Sequence, residues 1–266
     1  MESLWWMLPL LLALLIGATA PLAGTLLLVQ RRLFLANLVS HAVLPGLALA
    51  VALRIDPGLG GAVSGVAGAL LVERFSRAER SGDPSDEAVI NTVLAAFLGL
   101  GVLLIPLLSI RVNLEAVLFG DLLAASPQDL LRSLLTLSTL LALMRCHYRD
   151  YVYLGVDPIG AASAGLPVGR LRLMLTVVTA FTVVSAMTAV GVVLVIALMG
   201  APALLALRGA SSLAQTLRRA ALLGMALAVG GFTLAIQPVV NLPPGPVIGV
   251  LCLLVLPLSS RQSAGR

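Results

Sequence analysis

The sequence predicts an all-α integral membrane protein, a polytopic bundle of eight to nine transmembrane helices with a short cytoplasmic coupling helix. Three observations carry that prediction. Hydrophobic residues make up 59% of the chain and charged residues 11%, where soluble domains run near about 45–50% and about 25%. The apolar residues fall in long runs that give a mean hydropathy of +1.07. The charges gather in the short breaks between runs. A water-soluble enzyme and a disordered chain are both excluded, the latter because it needs the opposite balance. A spanning helix takes about 20 residues. The 266 residues therefore hold roughly eight to ten crossings, and 1–266 reads as a single transmembrane domain.

The runs fall at 5–29, 33–53, 58–72, 88–110, 130–144, 171–190, 191–207, 220–236 and 246–260. The first follows Met1-Glu2-Ser3, which carries an acid and no basic leader, so it reads as a retained span rather than a cleaved signal. Polar breaks separate the others: Gln30 to Arg32, Arg54 to Pro57, Glu73 to Glu87, Arg111 to Asp129, Arg145 to Arg172, Arg208 to Arg219 and Gln237 to Pro246. If the breaks near 31, 74–80, 145–172 and 208–219 and the C-terminus are cytoplasmic, only Arg54, Arg111 and Arg132 stay outside. That strong positive-inside bias puts the N-terminus outside and the C-terminus in the cytoplasm of the plasma (inner) membrane. It also asks for two crossings between Arg172 and Arg208, which is short. A kinked or re-entrant pair near Gly191 would meet that demand, since broken helices are tolerated inside a bundle.

All 17 basic residues are arginine. A phosphate-binding P-loop needs a lysine, so this chain holds none, and any ATP is hydrolysed by another polypeptide. Arginines that punctuate apolar runs speak for membrane orientation, not nucleic acid. Cys146 and Cys252 are too far apart in sequence to suggest a metal knuckle or a disulfide framework. No acid sits in the middle of an apolar run. Ion-coupled transporters place ionisable groups at depth, so a secondary transporter or channel is the weaker reading. A membrane-embedded enzyme would need clustered catalytic groups, and the two histidines stand far apart.

Asn37 and His41 lie four residues apart in Ala36-Asn37-Leu38-Val39-Ser40-His41-Ala42-Val43-Leu44-Pro45-Gly46. On a helix they share one face, where an amide oxygen and an imidazole could meet one cation. Pro45-Gly46 would bend the helix just beyond. The alternative is a buried histidine bonded to a neighbouring carbonyl, with Asn37 joining helices. His147, beside Cys146 in the Arg145–Tyr151 break, reads as part of an interfacial loop. Cys252, Met187, Met199 and Met225 read as packing residues. In the 145–172 segment, Asp157 can N-cap a short helix that begins Pro158-Ile159-Gly160-Ala161, and Gly165 can end it.

Five strings, in order, resemble one family, the membrane permeases of manganese, zinc and iron(II)-chelate ABC importers. Leu28 to Leu49 is similar to its Arg-rich turn and Ser-His-Ala-x-x-Pro-Gly signature. Leu114 to Ser126 resembles its Phe-Gly-Asp element, and Asp157 to Gly165 its coupling helix. Val190 to Ala203 and Asn241 to Pro246 match a Val-Gly-to-Pro-Ala helix and a Pro-Gly-Pro turn. The resemblance implies a non-catalytic homodimeric permease for a divalent transition metal (Mn, Zn or Fe) and no cofactor bound by this chain. It implies a cytoplasmic ABC ATPase dimer that binds ATP and grips Asp157, Pro158, Ile159, Gly160, Ala161 and Gly165. It further implies an extracytoplasmic metal-binding receptor protein, with membrane lipid around the bundle and no nucleic acid. His41 matches the signature as a metal residue. Asn37 departs from it, because the family commonly carries Asp there and an amide is a neutral, poorer ligand. A permease for cobalamin or chelated iron would share most of these features and would not need His41.

Overall fold

The computed structural model describes residues 6–75, 84–110, 120–238 and 242–261. These form helices α1 (Met7–Val29), α2 (Phe34–Ala52), α3 (Pro57–Phe75), α4 (Pro84–Leu107), α5 (Pro127–Val156), α6 (Pro158–Ser163), α7 (Val168–Val190), α8 (Val192–Leu207), α9 (Leu213–Ala235) and α10 (Pro244–Arg261). One 3-10 turn spans Leu122–Ala124. No strand occurs among the described residues. All the helices but α6 answer the nine apolar runs. α1, α2, α4, α7 and α9 are long and apolar enough to cross a membrane, while α8 and the apolar part of α10 are shorter. The protein is an all-α membrane bundle.

Three boundaries differ from the sequence reading. The Arg145–Tyr151 break is not a loop. α5 runs through it to Val156 with a kink at His147 (φ −120°, ψ 23°), because no glycine or proline stands between Pro127 and Gly155. α9 starts at Leu213, ahead of its apolar run, because the Ser212 hydroxyl accepts the Gln215 N–H and caps it there. Arg218 and Arg219 thus lie inside a helix, and Arg219 donates to the Gly209 carbonyl at 3.1 Å. α3 extends to Phe75, so Glu73 belongs to its last turn and not to a loop. The expected break at Gly191 is present: its φ of +83° separates α7 from α8. Met1 to Ser3, Arg77, Arg80, Arg111, Glu115, Phe119, Asn241 and Arg266 lie outside the described residues.

The chain sorts into two compact units. The first comprises Met1–Leu28, Leu114–Leu140 and Ser185–Arg266. Its helices meet through small residues. Pro21 has no N–H to give to the Gly17 carbonyl four residues back. Gly224 of α9 rests on that carbonyl, where any Cβ would overlap it at 2.2 Å. Gly24 sits equally close to the Met199 backbone of α8. α8, α9 and α10 pack on one another, with Gly231 against Ile248. At Gly120 (φ +69°) the turn before α5 touches the Val190–Gly191 backbone, closer than a side chain permits. Two buried hydroxyls of α1 find acceptors one turn back, Thr19 at the Leu15 carbonyl and Thr25 at the Pro21 carbonyl. This satisfies polar groups that hydrocarbon cannot.

The second unit comprises Val29–Asn113 and Leu141–Val184. Here α2 packs on α3 and α4. Gly60 and Gly46 face each other so closely that a Cβ on either would overlap the other's carbonyl. Gly61, Gly65 and Gly68 extend the stripe along α3 against Val43, Val39 and Ala42. The Ser64 hydroxyl donates to the Ala42 carbonyl at 2.6 Å. Such small-residue stripes let helix backbones approach where lipid gives no hydrophobic drive.

This packing predicts opposite signs at two glycines. Gly46→Leu should cost about 1–3 kcal/mol or more by overpacking. Gly99→Ala, with open space around Gly99, should be neutral or gain about 0.5–1 kcal/mol from better helix propensity. Thermal unfolding of the two variants in detergent, followed by size exclusion, checks both.

Candidate functional site

α2 is apolar and mostly buried, and its packing decides which face remains open. Leu38, Val39, Ala42, Val43, Gly46 and Ala50 lie against α3, and Leu44 and Pro45 against Gly101 of α4. What remains is a stripe with Phe34 exposed and Asn37 and His41 half-buried. Asn37 and His41 thus share one partly open face of α2, as their spacing predicts, with Leu49 exposed further along the helix. α2 continues as helix through Pro45. Proline cannot donate to the His41 carbonyl, which adds a main-chain oxygen to the polar character of that turn. Among the described residues, no three His, Cys, Asp or Glu side chains gather to hold a metal. The stripe therefore offers two neutral side-chain donors from one chain.

The second sequence-derived element is α6. The Asp157 carboxylate accepts the Gly160 N–H at 2.9 Å, and Pro158 occupies the first turn. Glycine is needed at 160, because a Cβ there would strike that capping carboxylate. At the other end Gly165 adopts φ +81°. Its N–H bonds to the Ala162 carbonyl, and the Leu166 N–H to the Ala161 carbonyl. That pair of bonds is a Schellman stop. Ala161 is fully buried and anchors the helix, while Ile159, Ala162 and Ser163 face outward. Beside it lies a cavity of about 240 Å³, lined by 29–31 and 154–159.

Three contacts in the same unit are not legible in the sequence. Arg32 is 5% exposed, and its guanidinium donates to Glu73 Oε1 at 2.5 Å, with Glu73 17% exposed. Thr176 of α7 donates to the same oxygen at 2.9 Å. The buried Tyr151 of α5 donates its hydroxyl to the Leu171 carbonyl at 3.0 Å. The sequence marks Arg32 as a positive-inside charge and as part of an Arg-rich turn, and points to no partner for it. An acid one helical face away from other buried positions at the end of a glycine-rich run was the available signal.

The remaining candidates join neither element. His147 contacts Asp150 at 3.0 Å within α5. Cys146 is exposed and Cys252 buried, both as free thiols. Met187 and Met199 are buried, and the Met199 and Met225 backbones pack against Gly24 and Gly17, so these residues serve packing. Gly120 and Asp121 of the Phe-Gly-Asp string form the turn before α5, where the Asp121 side chain accepts the Ala124 N–H.

A sequence model of the ABC 3 transport family matches residues 5–262. An uncharacterized membrane protein from Cyanophora paradoxa is 30% identical over 92% of this chain and 81% of its own length. The manganese import system permease protein ScaB of Streptococcus parasanguinis is 31% identical over 66% of this chain, and the match spans 62% of ScaB. Among solved structures, PsaBC from Streptococcus pneumoniae in complex with Fab superposes with a TM-score of 0.83 at 26% identity. That match covers 97% of this chain and 91% of the other.

The caps of α6 yield a local prediction. Asp157→Ala should release the Gly160 amide and raise hydrogen exchange across 157–165 roughly tenfold, in line with about 1 kcal/mol for an N-cap. Asp157→Asn keeps an accepting oxygen and should stay near native. Hydrogen-exchange mass spectrometry on the detergent-solubilised chain reads both.

Proposed function

The chain belongs to the ABC 3 transport family, and from that premise we propose that it is the membrane permease of an ATP-driven importer of divalent transition-metal ions. Manganese is the first cargo to test, because ScaB is named as a manganese import permease. The observation that carries the reading is the partly open Asn37–His41 face on an apolar helix that packs against α3 and α4. An amide oxygen and an imidazole suit borderline divalent ions. Two donors are too few for tight binding by one chain. Two copies of the permease, related as a homodimer, would present two such pairs to one ion.

A weak site is what conduction needs, since an ion must leave as readily as it arrives. Tight capture then falls to an extracytoplasmic receptor protein. Energy comes from a separate cytoplasmic ATPase dimer, since the chain has no lysine for a P-loop. That ATPase docks on α6 through the segment of Asp157, Pro158, Ile159, Gly160 and Gly165, while Ala161, expected with them, is buried beneath the helix and can only anchor it. The outward-facing Ile159 and Ser163 supply the contact surface and the two caps hold its shape. In this reading residues 1–266 act as one non-catalytic permease domain in the inner membrane, surrounded by lipid. The N-terminus lies outside and the C-terminus inside.

Uptake of radioactive manganese into proteoliposomes that hold the permease, its ATPase and its receptor protein tests the cargo. His41→Ala should lower the rate at least tenfold with normal expression. Asn37→Asp should lower the KM, because a carboxylate holds the ion more firmly. If the native complex takes up neither manganese nor zinc, the cargo is something else. Orientation has its own test. With Cys146→Ser removing the exposed thiol, Arg74→Cys should react with an impermeant reagent only from the cytoplasmic side, and labelling from outside would invert the topology.

A further inference from the structure

The Arg32–Glu73–Thr176 contact joins three parts of the second unit that the sequence keeps far apart. Arg32 lies in the turn that leads into α2, five residues ahead of Asn37. Glu73 ends α3, and Thr176 lies two turns into α7, the helix that follows α6. One carboxylate oxygen receives both the guanidinium at 2.5 Å and the hydroxyl at 2.9 Å. Arg32 is nearly sealed from solvent. A charge pair held there cannot be parted cheaply, because either partner left alone would be an uncompensated buried charge.

The flanks of α6 reach the same place. On its N-terminal side, α5 ties to the start of α7 through Tyr151 and the Leu171 carbonyl. One turn further, Gly155 lies against Val29 at the end of α1, where a Cβ would meet the valine side chain at 2.4 Å. On its C-terminal side, α7 runs directly to Thr176. Both sides of α6 are thus pinned to the turn that begins α2.

We infer that Arg32, Glu73 and Thr176 form a buried clamp that makes the start of α2 move with α6 and α7, so that ATPase action on α6 repositions the Asn37–His41 face. These are positioning residues that touch no cargo. The inference rests on α6 as the docking element but not on which ion is carried. A displacement of α6 shifts the first turns of α7. The clamp passes that shift to the end of α3 and the turn at Arg32, rather than letting α7 slide past them. Interfaces of this kind act as discrete alternatives rather than as elastic links.

The test uses the full chain assembled with its ATPase in lipid nanodiscs, with Cys146→Ser and Asn37→Cys as the reporter. The rate of modification by a charged methanethiosulfonate is measured without nucleotide and with ATP plus vanadate. With the clamp intact, the rate at position 37 should change at least fivefold between the two conditions. Glu73→Gln removes the charge, and Thr176→Val removes only the hydroxyl; each should reduce the change below twofold. The exchanged pair Arg32→Glu with Glu73→Arg should bring the change back to within twofold of native. A purely structural role would lower yield and leave the nucleotide response of the folded fraction unaltered. The inference falls if the intact clamp shows no nucleotide response, if Glu73→Gln and Thr176→Val both keep it, or if the exchanged pair folds and stays silent. Should Glu73→Gln fail to assemble, Thr176→Val decides alone. The readout needs no transported ion, so a failed manganese assay leaves it intact. Docking has a separate control: Asp157→Arg with Gly165→Leu should lose co-purification with the ATPase, whatever happens at Arg32 and Glu73.

Discussion

Backbone resting on backbone, made possible by missing side chains, is the contact on which this structure depends. Between helices in lipid there is no hydrophobic gain to win, because acyl chains are as apolar as leucine. What remains is dispersion, which falls away steeply with distance. Gly17 against Gly224, Gly24 against Met199, and Gly46 against Gly60 bring helices close enough to collect it. The same closeness sets the exposed face of α2. α3 and α4 press tightly on one side, and the stripe at Asn37 and His41 remains partly open. Site and scaffold are therefore not separable here, and a larger residue at Gly46 would disturb the polar face without touching it.

What could be read in advance was whatever is decided locally. The helix at Asp157 to Gly165 was legible because its start and stop are both made by its own residues, a carboxylate three positions before the amide it caps and a glycine at a positive φ. The shared face of Asn37 and His41 followed from helical spacing alone. So did the break at Gly191, from the shortness of the segment around it. What was hidden depended on partners remote in sequence. Hydropathy ended α5 near Arg145, yet nothing in that stretch breaks a helix, and the burial of Tyr151 supports the added turns. Glu73 looked like the first charge of a solvated break. Only the fold shows that it lies in the last turn of α3, facing an arginine 41 positions away in sequence.

The chemistry of the open stripe suits a carrier better than a storage protein. In the proposed reading, two uncharged donors would hold a divalent ion without cancelling its charge, so the ion would keep an electrostatic reason to move on. Work then has to come from elsewhere. A chain without lysine cannot hold nucleotide phosphates in a P-loop. In the proposed reading its share in energy conversion is mechanical and runs through α6 and the contacts that hold α6 against the rest of its unit.

The self-contained capping of α6 has an evolutionary consequence. An element whose two caps are made within ten consecutive residues, from Asp157 to Leu166, can be transplanted. Its outward positions, Ile159, Ala162 and Ser163, are free to drift and adapt to a different motor subunit, while Asp157, Gly160 and Gly165 preserve the geometry beneath them. A lineage could therefore exchange its ATPase through a handful of surface substitutions and leave the ion route unaltered. Orphan permeases could be recruited by foreign motors in the same way.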